Sequence, residues 1–362
     1  MEIIQRLNIQ EGTLPRMKIL MITPNDPQEK SRFQGGVEIF SSELQTRLAL
    51  KHDVTFVSGG EGRSEIAKSI ALGFKVRKLL KTERPDVLIS NGILGWTFSN
   101  LEIPRINIFH GTYEGIRRAV KGRYLGNLHK KFVLKKLEVL SGRNALKVAV
   151  SNRVAEELVK YYGFLRSEIS VVEGGVDTSH FSPIVSTEEK NLLRKKYGLA
   201  EDRIVCAFTA SFTYRKGWDI IKRLSKSFGD LTFLCTSQNF HSDNIVALNV
   251  PYSQMPEIYQ VSDIFLYPSR YDAFPLGLME AMSCGLPFVG FPSGFCQDLK
   301  ENSSFTECIV EDERGFAQHL ATMAKDKLLR LEVGGKCRSF AEKHDWSVVA
   351  EKMNRAILQI GG

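Results

Sequence analysis

Two carboxylates, Asp272 and Glu280, close the segment Asp272-Ala273-Phe274-Pro275-Leu276-Gly277-Leu278-Met279-Glu280 with seven residues between them. Pro275 suits a first helical position, and Gly285 with Pro287 marks the end of that helix. Asp272 then falls in the loop above a helix N-terminus and Glu280 in the helix's second turn. Glu280 is flanked by Leu278, Met279, Ala281 and Met282. A carboxylate in so apolar a helix needs hydrogen-bond donors, and the vicinal hydroxyls of a ribose are suitable ones. Asp272 can accept from sugar hydroxyls while the helix N-terminus receives a phosphate. The plainer reading is an acid that complements the helix dipole plus one partly exposed glutamate.

Three further groups of residues fall where strands give way to helices or loops. In Thr213-Tyr214-Arg215-Lys216-Gly217, two adjacent cations precede a helix that begins near Trp218. Cations there oppose the helix dipole, a violation explained if Arg215 and Lys216 share an anion with the helix end; otherwise they are solvated loop charges. His110, followed by Gly111 and Thr112, can reach a substrate hydroxyl from the end of a strand or be satisfied by backbone. Arg32-Phe33-Gln34-Gly35-Gly36-Val37-Glu38 places two glycines before a helix, where backbone approaches a ligand closely or simply turns. It is not GxGxxG, which disfavours a dinucleotide-dependent dehydrogenase.

The elements that must position these groups alternate in type. Lys18–Thr23, Val54–Val57, Val87–Ser90, Ile106–Phe109 and Lys147–Val150 read as buried strands, with helices over Val37–Ala49, Glu65–Leu80, Tyr124–Leu140 and Arg153–Tyr162. After a break near His180–Val185 the rhythm restarts. Ile204–Thr209, Leu231–Thr236, Ile264–Tyr267 and Phe288–Gly290 are strands; Trp218–Phe228, Met255–Val261, Leu276–Ser283 and Arg314–Asp326 are helices. The expected fold class is α/β: two Rossmann-like, doubly wound domains facing across a cleft, with ligands at the carboxyl ends of the strands. The expected division is an extension over 1–16, a first domain over 17–182, a second over 183–345, and a C-terminal helix over 346–362 that crosses back to the first domain.

Composition narrows the partners. The 362 residues carry a net charge of +8, which arises between Arg117 and Lys136, where Arg117, Arg118, Lys121, Arg123, Lys130, Lys131, Lys135 and Lys136 stand without a single acidic residue. Elsewhere basic residues match the 41 acidic ones. One basic segment implies a local anionic partner and no nucleic acid. Within it, Tyr124–Leu140 is expected to pack Leu125, Leu128, Phe132, Val133 and Leu137 into the first domain and turn its lysines outward. That face suits an anionic membrane or a phosphate-bearing lipid acceptor, or is a solvated surface. Six cysteines without CxxC spacing read as buried hydrophobes in a reducing cytoplasm. No apolar run reaches the roughly 20 residues of a membrane span, and the first residues do not read as a secretory signal.

Taken together, Asp272 and Glu280 with Phe274 and Leu276 between them resemble the E-x7-E motif of retaining GT-B glycosyltransferases. Ala281-Met282-Ser283-Cys284-Gly285-Leu286-Pro287 looks like its continuation in glycosyltransferase family 4, also called group 1. Gly35-Gly36, His110-Gly111, Ser151-Asn152, Val176-Asp177 with Phe181 and Pro183, and Lys216-Gly217 resemble further motifs of that family in order. The resemblance implies a UDP-sugar, or alternatively GDP-sugar, donor held by the second domain and a glycan or lipid-linked acceptor by the first. Glu280 would hold the ribose; Asp272 and the backbone near Phe274, Pro275 and Leu276 the transferred sugar; Lys216 and Gly35-Gly36 the diphosphate; His110 the donor sugar. It implies retention of configuration, no cofactor and no metal, and a cytoplasmic enzyme able to sit on the inner face of a membrane. The sequence departs from the family at Asp272 (usually glutamate), Pro275 (commonly glycine), Gly174 (commonly asparagine) and Ser211, where an arginine is usual and for which Arg215 is the candidate replacement. A sugar-nucleotide epimerase or hydrolase, or a non-catalytic sugar-nucleotide-binding subunit, would use the same groups.

Overall fold

A computed structural model describes residues 16–25, 35–59, 65–120, 128–236, 240–301 and 305–361. It divides into two compact units: Met1–Ile108 with Leu137–Lys147 and Met353–Gly362, and Phe109–Lys136 with Val148–Lys352.

The first unit is built on parallel strands. Lys18–Ile22 (β1) is buried at every residue but Lys18, as expected of a strand covered on both faces. It pairs with Asp53–Val57 (β2) and Val87–Asn91 (β3), and β3 pairs with Arg105–Phe109 (β4), all parallel. The sheet continues through Leu146–Ala149 (β5) and Ile169–Val171 (β6) in the order β2-β1-β3-β4-β5-β6. Helices Gly36–Leu48 (α1) and Glu65–Leu79 (α2) follow β1 and β2. Leu72 and Val76 of α2 pack with Leu20, Ile22 and Leu88 in one apolar cluster.

The last turns of the C-terminal helix also belong to this unit. His52 accepts from the Met17 N–H through Nδ1 at 3.3 Å, so its Nε2 carries the proton and donates to Asn354 at 2.7 Å. A Cβ on Gly361 would come within 2.1 Å of Met17 Cε, so a larger residue there would make the Met17 side chain move.

In the second unit, Tyr113–Ala119 (α3), Leu128–Gly142 (α4, shared with the first unit) and Asn152–Tyr162 (α5) precede Thr187–Lys196 (α6). The polar α6 is anchored through buried Arg194, which reaches Asp263 at 2.6 Å. The second sheet comprises Val205–Phe208 (β7), Thr232–Thr236 (β8), Phe240–Ser242 (β9), Ile245–Leu248 (β10), Ile264–Tyr267 (β11) and Phe288–Gly290 (β12). Its order is β12-β11-β7-β8-β10-β9, parallel except for β9 against β10. From β7 the chain first builds outward through β8 and later returns to lay β11 on the other side. The crevice between the ends of β7 and β11 is therefore a topological switch point, where doubly wound sheets bind ligands. Trp218–Ser227 (α7), Met255–Gln260 (α8), Leu276–Ser283 (α9), Phe295–Glu301 (α10), Glu313–Lys325 (α11), Lys327–Glu342 (α12) and Trp346–Gly361 (α13) complete the chain.

The sequence rhythm missed β6, β9 and β10 and helices α3, α10 and α12. Residues 124–127 of the expected basic helix lie outside the described residues; from Leu128 onward it forms α4. Phe132 and Val133, expected to pack inward, are 72% and 45% exposed, while Leu137 is buried. The apolar stripe is thus divided between core and surface.

Candidate active site at the switch point of the second sheet

The loop after β7 carries Arg215 and Lys216 to the start of α7. Gly217 sits at φ +82°, and a Cβ there would lie 2.2 Å from the Pro268 carbonyl oxygen at the end of β11. Only glycine supplies both the left-handed conformation and the close approach that bring the two loops together. Across that approach the Lys216 ammonium donates to Asp272 Oδ2, both side chains being largely buried. Arg215 donates through Nη1 to the Tyr271 carbonyl at 3.1 Å. The two cations that oppose the dipole of α7 are thus both engaged with the acidic loop. Asp219 in the first turn of α7 offsets them and is held by Arg270 at 2.8 Å.

The loop after β11 is braced from behind by Gly294, at φ +55°, whose Cβ position would be 1.5 Å from the Asp272 carbonyl oxygen. Phe274 packs against Phe295 with ring centroids 4.8 Å apart, and a Cβ on Gly174 would meet its ring at 2.4 Å. Pro275 is the N-cap of α9 rather than its first helical residue, and Leu276 opens the helix. The Pro275 carbonyl accepts from the amides of Leu278 and Met279 at 3.0 and 3.1 Å. The first turn of α9 begins four residues after Asp272, the acid that meets Lys216, and a helix N-terminus favours an anion.

Glu280, eight residues beyond Asp272, is 6% exposed. Its Oε1 accepts from Tyr252 at 2.9 Å and its Oε2 from Tyr259 at 2.7 Å. Burial raises its carboxyl above the ordinary range, and the two tyrosine hydrogen bonds pull the other way. The two acids have separate environments: Asp272 faces a cation, whereas Glu280 is held by neutral hydroxyls and keeps lone pairs for further donors.

Family profiles agree with this arrangement in both halves of the chain. The profile described as Glycosyltransferase Family 4 matches residues 34–180, and that of Glycosyl transferases group 1 matches residues 235–326. The chain belongs to glycosyltransferase family 4. Among curated family 4 relatives, it is 22% identical over 235 residues to N,N'-diacetylbacillosaminyl-diphospho-undecaprenol alpha-1,3-N-acetylgalactosaminyltransferase of Campylobacter jejuni. That match covers 61% of the chain and spans 62% of the length of the relative. It is 24% identical over 291 residues to UDP-Gal:alpha-D-GlcNAc-diphosphoundecaprenol alpha-1,3-galactosyltransferase of Escherichia coli, covering 72% of each. Among solved structures, Anabaena Alr3699/HepE in complex with UDP and glucose superposes with a TM-score of 0.74 at 16% identity, over 95% of this chain and all of that one. The fold is GT-B.

Of the other family positions, His110 directly follows β4, beside Gly111, which sits at φ +127°. Burial lowers the His110 imidazole to about 4, so it is neutral near pH 7. Gly35 is the N-cap of α1 and Gly36 its first residue, in the first unit; Arg32 to Gln34 lie outside the described residues. In the basic segment Lys121 and Arg123 lie outside them too, as do the side chains of Lys130 and Lys131. Arg117 and Arg118 both bind Glu114, at 2.5 and 2.7 Å, and the Arg117 hydrogen bond chiefly holds that carboxyl down at about 2.

Sequence reasoning missed Tyr252 and Tyr259, which hold Glu280, and also Thr112, Glu157 and Tyr271. The last three form a buried hydrogen-bonded group next to the candidate site. Tyr271 directly precedes Asp272, and its place beside the motif was the one available signal.

Proposed function

We propose that the protein transfers a sugar from a UDP-sugar to a lipid-linked glycan acceptor with retention of anomeric configuration. The observation that carries this is the Lys216–Asp272 pair between the loops after β7 and β11, with α9 starting four residues after Asp272 and bearing Glu280 one turn further on. Lys216 and the α9 amides oppose the charge that grows on a departing diphosphate, Glu280 accepts from the ribose diol, and Asp272 orients the sugar. Neutral His110 can donate to or accept from a sugar hydroxyl, and the Gly35-Gly36 backbone is assigned to the diphosphate as in the family. Retention requires the acceptor oxygen to arrive on the face the diphosphate leaves. The bond from the anomeric carbon to phosphate oxygen breaks, the bond to the acceptor oxygen forms, and the acceptor's proton goes to the departing diphosphate. With a lysine and helix amides carrying the electrostatic work, no metal is assigned a part.

UDP is favoured over GDP by the UDP complex of the Anabaena neighbour and the UDP-Gal of the Escherichia coli relative. Both relatives' names specify diphosphoundecaprenol-linked substrates. No helix of the described residues is long and apolar enough to cross a membrane. The reading is of a cytoplasmic enzyme that meets its acceptor at a membrane surface through the basic segment and the exposed Phe132.

The test is a thermal-shift panel of UDP-, GDP- and ADP-sugars, followed by nucleotide release with and without polyprenyl-diphosphate-linked acceptors. UDP-sugars should raise the melting temperature, and acceptor should accelerate UDP release. Acceptor-independent release or remodelling of the sugar would instead identify a hydrolase or epimerase, and no shift with any donor would overturn the assignment.

A further inference from the structure

The loop after β4 and the loop after β11 are joined by three buried side chains. The Thr112 amide donates to Tyr271 Oη at 2.9 Å, Tyr271 Oη donates to Glu157 Oε2 at 3.0 Å, and Thr112 Oγ1 donates to the same oxygen at 2.5 Å. Thr112, Glu157 and Tyr271 are 1%, 3% and 7% exposed, so water cannot readily replace any of these bonds. The chain is shaped to admit them. A Cβ on Gly111 would stand 3.2 Å from Tyr271 Oη, at a backbone angle unfavourable to other residues, and one on Gly115 would stand 2.3 Å from Glu157 Oε2. Tyr271 is also fixed at its other end, where its carbonyl accepts from Arg215 Nη1 and Ser269 Oγ, each at 3.1 Å.

We infer that Tyr271 is a positioning residue whose hydroxyl, anchored on Glu157, locks the His110 loop to the loop that carries Asp272. The inference rests on the reading of His110 and Asp272 as sugar-contacting groups. His110 lies two residues before Thr112 and Asp272 one residue after Tyr271, so a single rigid phenol spans the two backbones that must hold one sugar between them. Glu157 supplies the fixed acceptor. Neither residue needs to touch the donor, since each acts through its neighbour. Lys216 and Glu280, the groups assigned to diphosphate and ribose, are bonded to Asp272 and to Tyr252 and Tyr259 and not to the Tyr271 hydroxyl, so loss of that hydroxyl should separate turnover from nucleotide binding.

The decisive variant is Tyr271→Phe, which keeps the ring and removes the hydroxyl. Amide exchange over residues 110–115 should accelerate, because the Thr112 N–H loses its acceptor. UDP release from UDP-glucose, UDP-galactose or UDP-N-acetylglucosamine should slow by about ten- to a hundred-fold in kcat, while UDP affinity by calorimetry stays within about two-fold. Glu157→Gln, which retains an acceptor oxygen, should preserve most of the rate, and Glu157→Leu should behave like Tyr271→Phe. Unchanged exchange over 110–115, a wild-type kcat in Tyr271→Phe, or equal losses of kcat and UDP affinity would each overturn the lock. A wild-type protein that consumes no donor would defeat the transferase reading instead, and the exchange measurement would then decide the lock alone.

Discussion

Lys216 and Asp272 form an ion pair between the loops that follow β7 and β11, and each is less than one-fifth exposed. In the unliganded protein they satisfy one another, so a donor's diphosphate must draw Lys216 away from Asp272 or share it. The pair keeps both charges in place without leaving either unpaired in a low-dielectric crevice.

This competition makes the two substitutions unequal. Lys216→Ala should weaken UDP binding by about ten- to a hundred-fold, the equivalent of one charged hydrogen bond of about 1.5–3 kcal/mol. Asp272→Asn should leave UDP binding equal or tighter, because Lys216 is released, yet lower turnover of the UDP-sugar. Calorimetry with UDP alongside donor-consumption rates checks both, and a parallel loss of UDP affinity in the two variants would contradict the competition.

Glu280 offers the opposite signature. Its carboxyl is raised by burial, so the charged form carries a stability penalty that Glu280→Gln relieves. The variant should melt at the same or a higher temperature at pH 8, yet bind UDP about tenfold more weakly, because the ribose hydroxyls lose a charged acceptor. Thermal melts and UDP titrations on the same samples separate the two effects.

Gly174 and Phe274 are coupled by packing, since a Cβ at Gly174 would enter the Phe274 ring. Gly174→Ala should cost about 1–3 kcal/mol through overpacking, and most of that cost should vanish when Phe274→Ala is also present. A double-mutant cycle in urea should give a coupling of about 1 kcal/mol or more. Additive losses would show that the contact does not constrain the site.

The same contact shows what sequence could and could not carry. The strands β1, β7 and β11 were legible because burial on both faces leaves nearly continuous apolar runs. Glu280 and Lys216 were legible because each is a charge in a setting that disfavours one, and Asp272 through its spacing from Glu280. Phe274 offered no such contrast: its partner Gly174 is a hundred positions away and looks like any loop glycine. The lock was equally hidden, its bonds joining residues 159 and 114 positions apart. Periodicity placed Phe132 on the apolar stripe of α4, but a stripe does not reveal whether its far end has anything to pack against. Pro275 was assigned one residue too far into its helix because a proline fixes its own φ without deciding where the hydrogen-bonded turns begin.

Asp298 supplies a pH dependence. Burial raises its carboxyl to about 6, against the hydrogen bond that the Asn152 amide donates to it at 2.9 Å. The unfolded value is 3.8, so between those values the native state holds the extra proton and stability falls as pH rises. Above the folded value the penalty is fully present. Asp298→Asn should therefore match the wild type near pH 4 and exceed it by roughly 1–3 kcal/mol at pH 8, as melts across that range would show. A difference independent of pH would refute the assignment.

The exposed end of α4 gives the last prediction. Phe132 projects into solvent beside exposed Lys136 and half-buried Lys135, while Arg117 and Arg118 are partly neutralised by Glu114. The lysines should therefore supply most of the attraction to an anionic surface, about 1 kcal/mol for each one close to it, and Phe132 an apolar anchor of about 1.5–3 kcal/mol if buried in the interface. Co-sedimentation with phosphatidylglycerol vesicles should fall with added salt in the wild type. Lys135→Ala with Lys136→Ala should weaken binding mainly at low salt, where charge is least screened. Phe132→Ser should weaken it by about tenfold or more at every salt concentration, since apolar transfer is not screened. Equal binding to phosphatidylcholine vesicles, or none to anionic ones, would mean that α4 is an ordinary solvated face and that the acceptor reaches the site by another route.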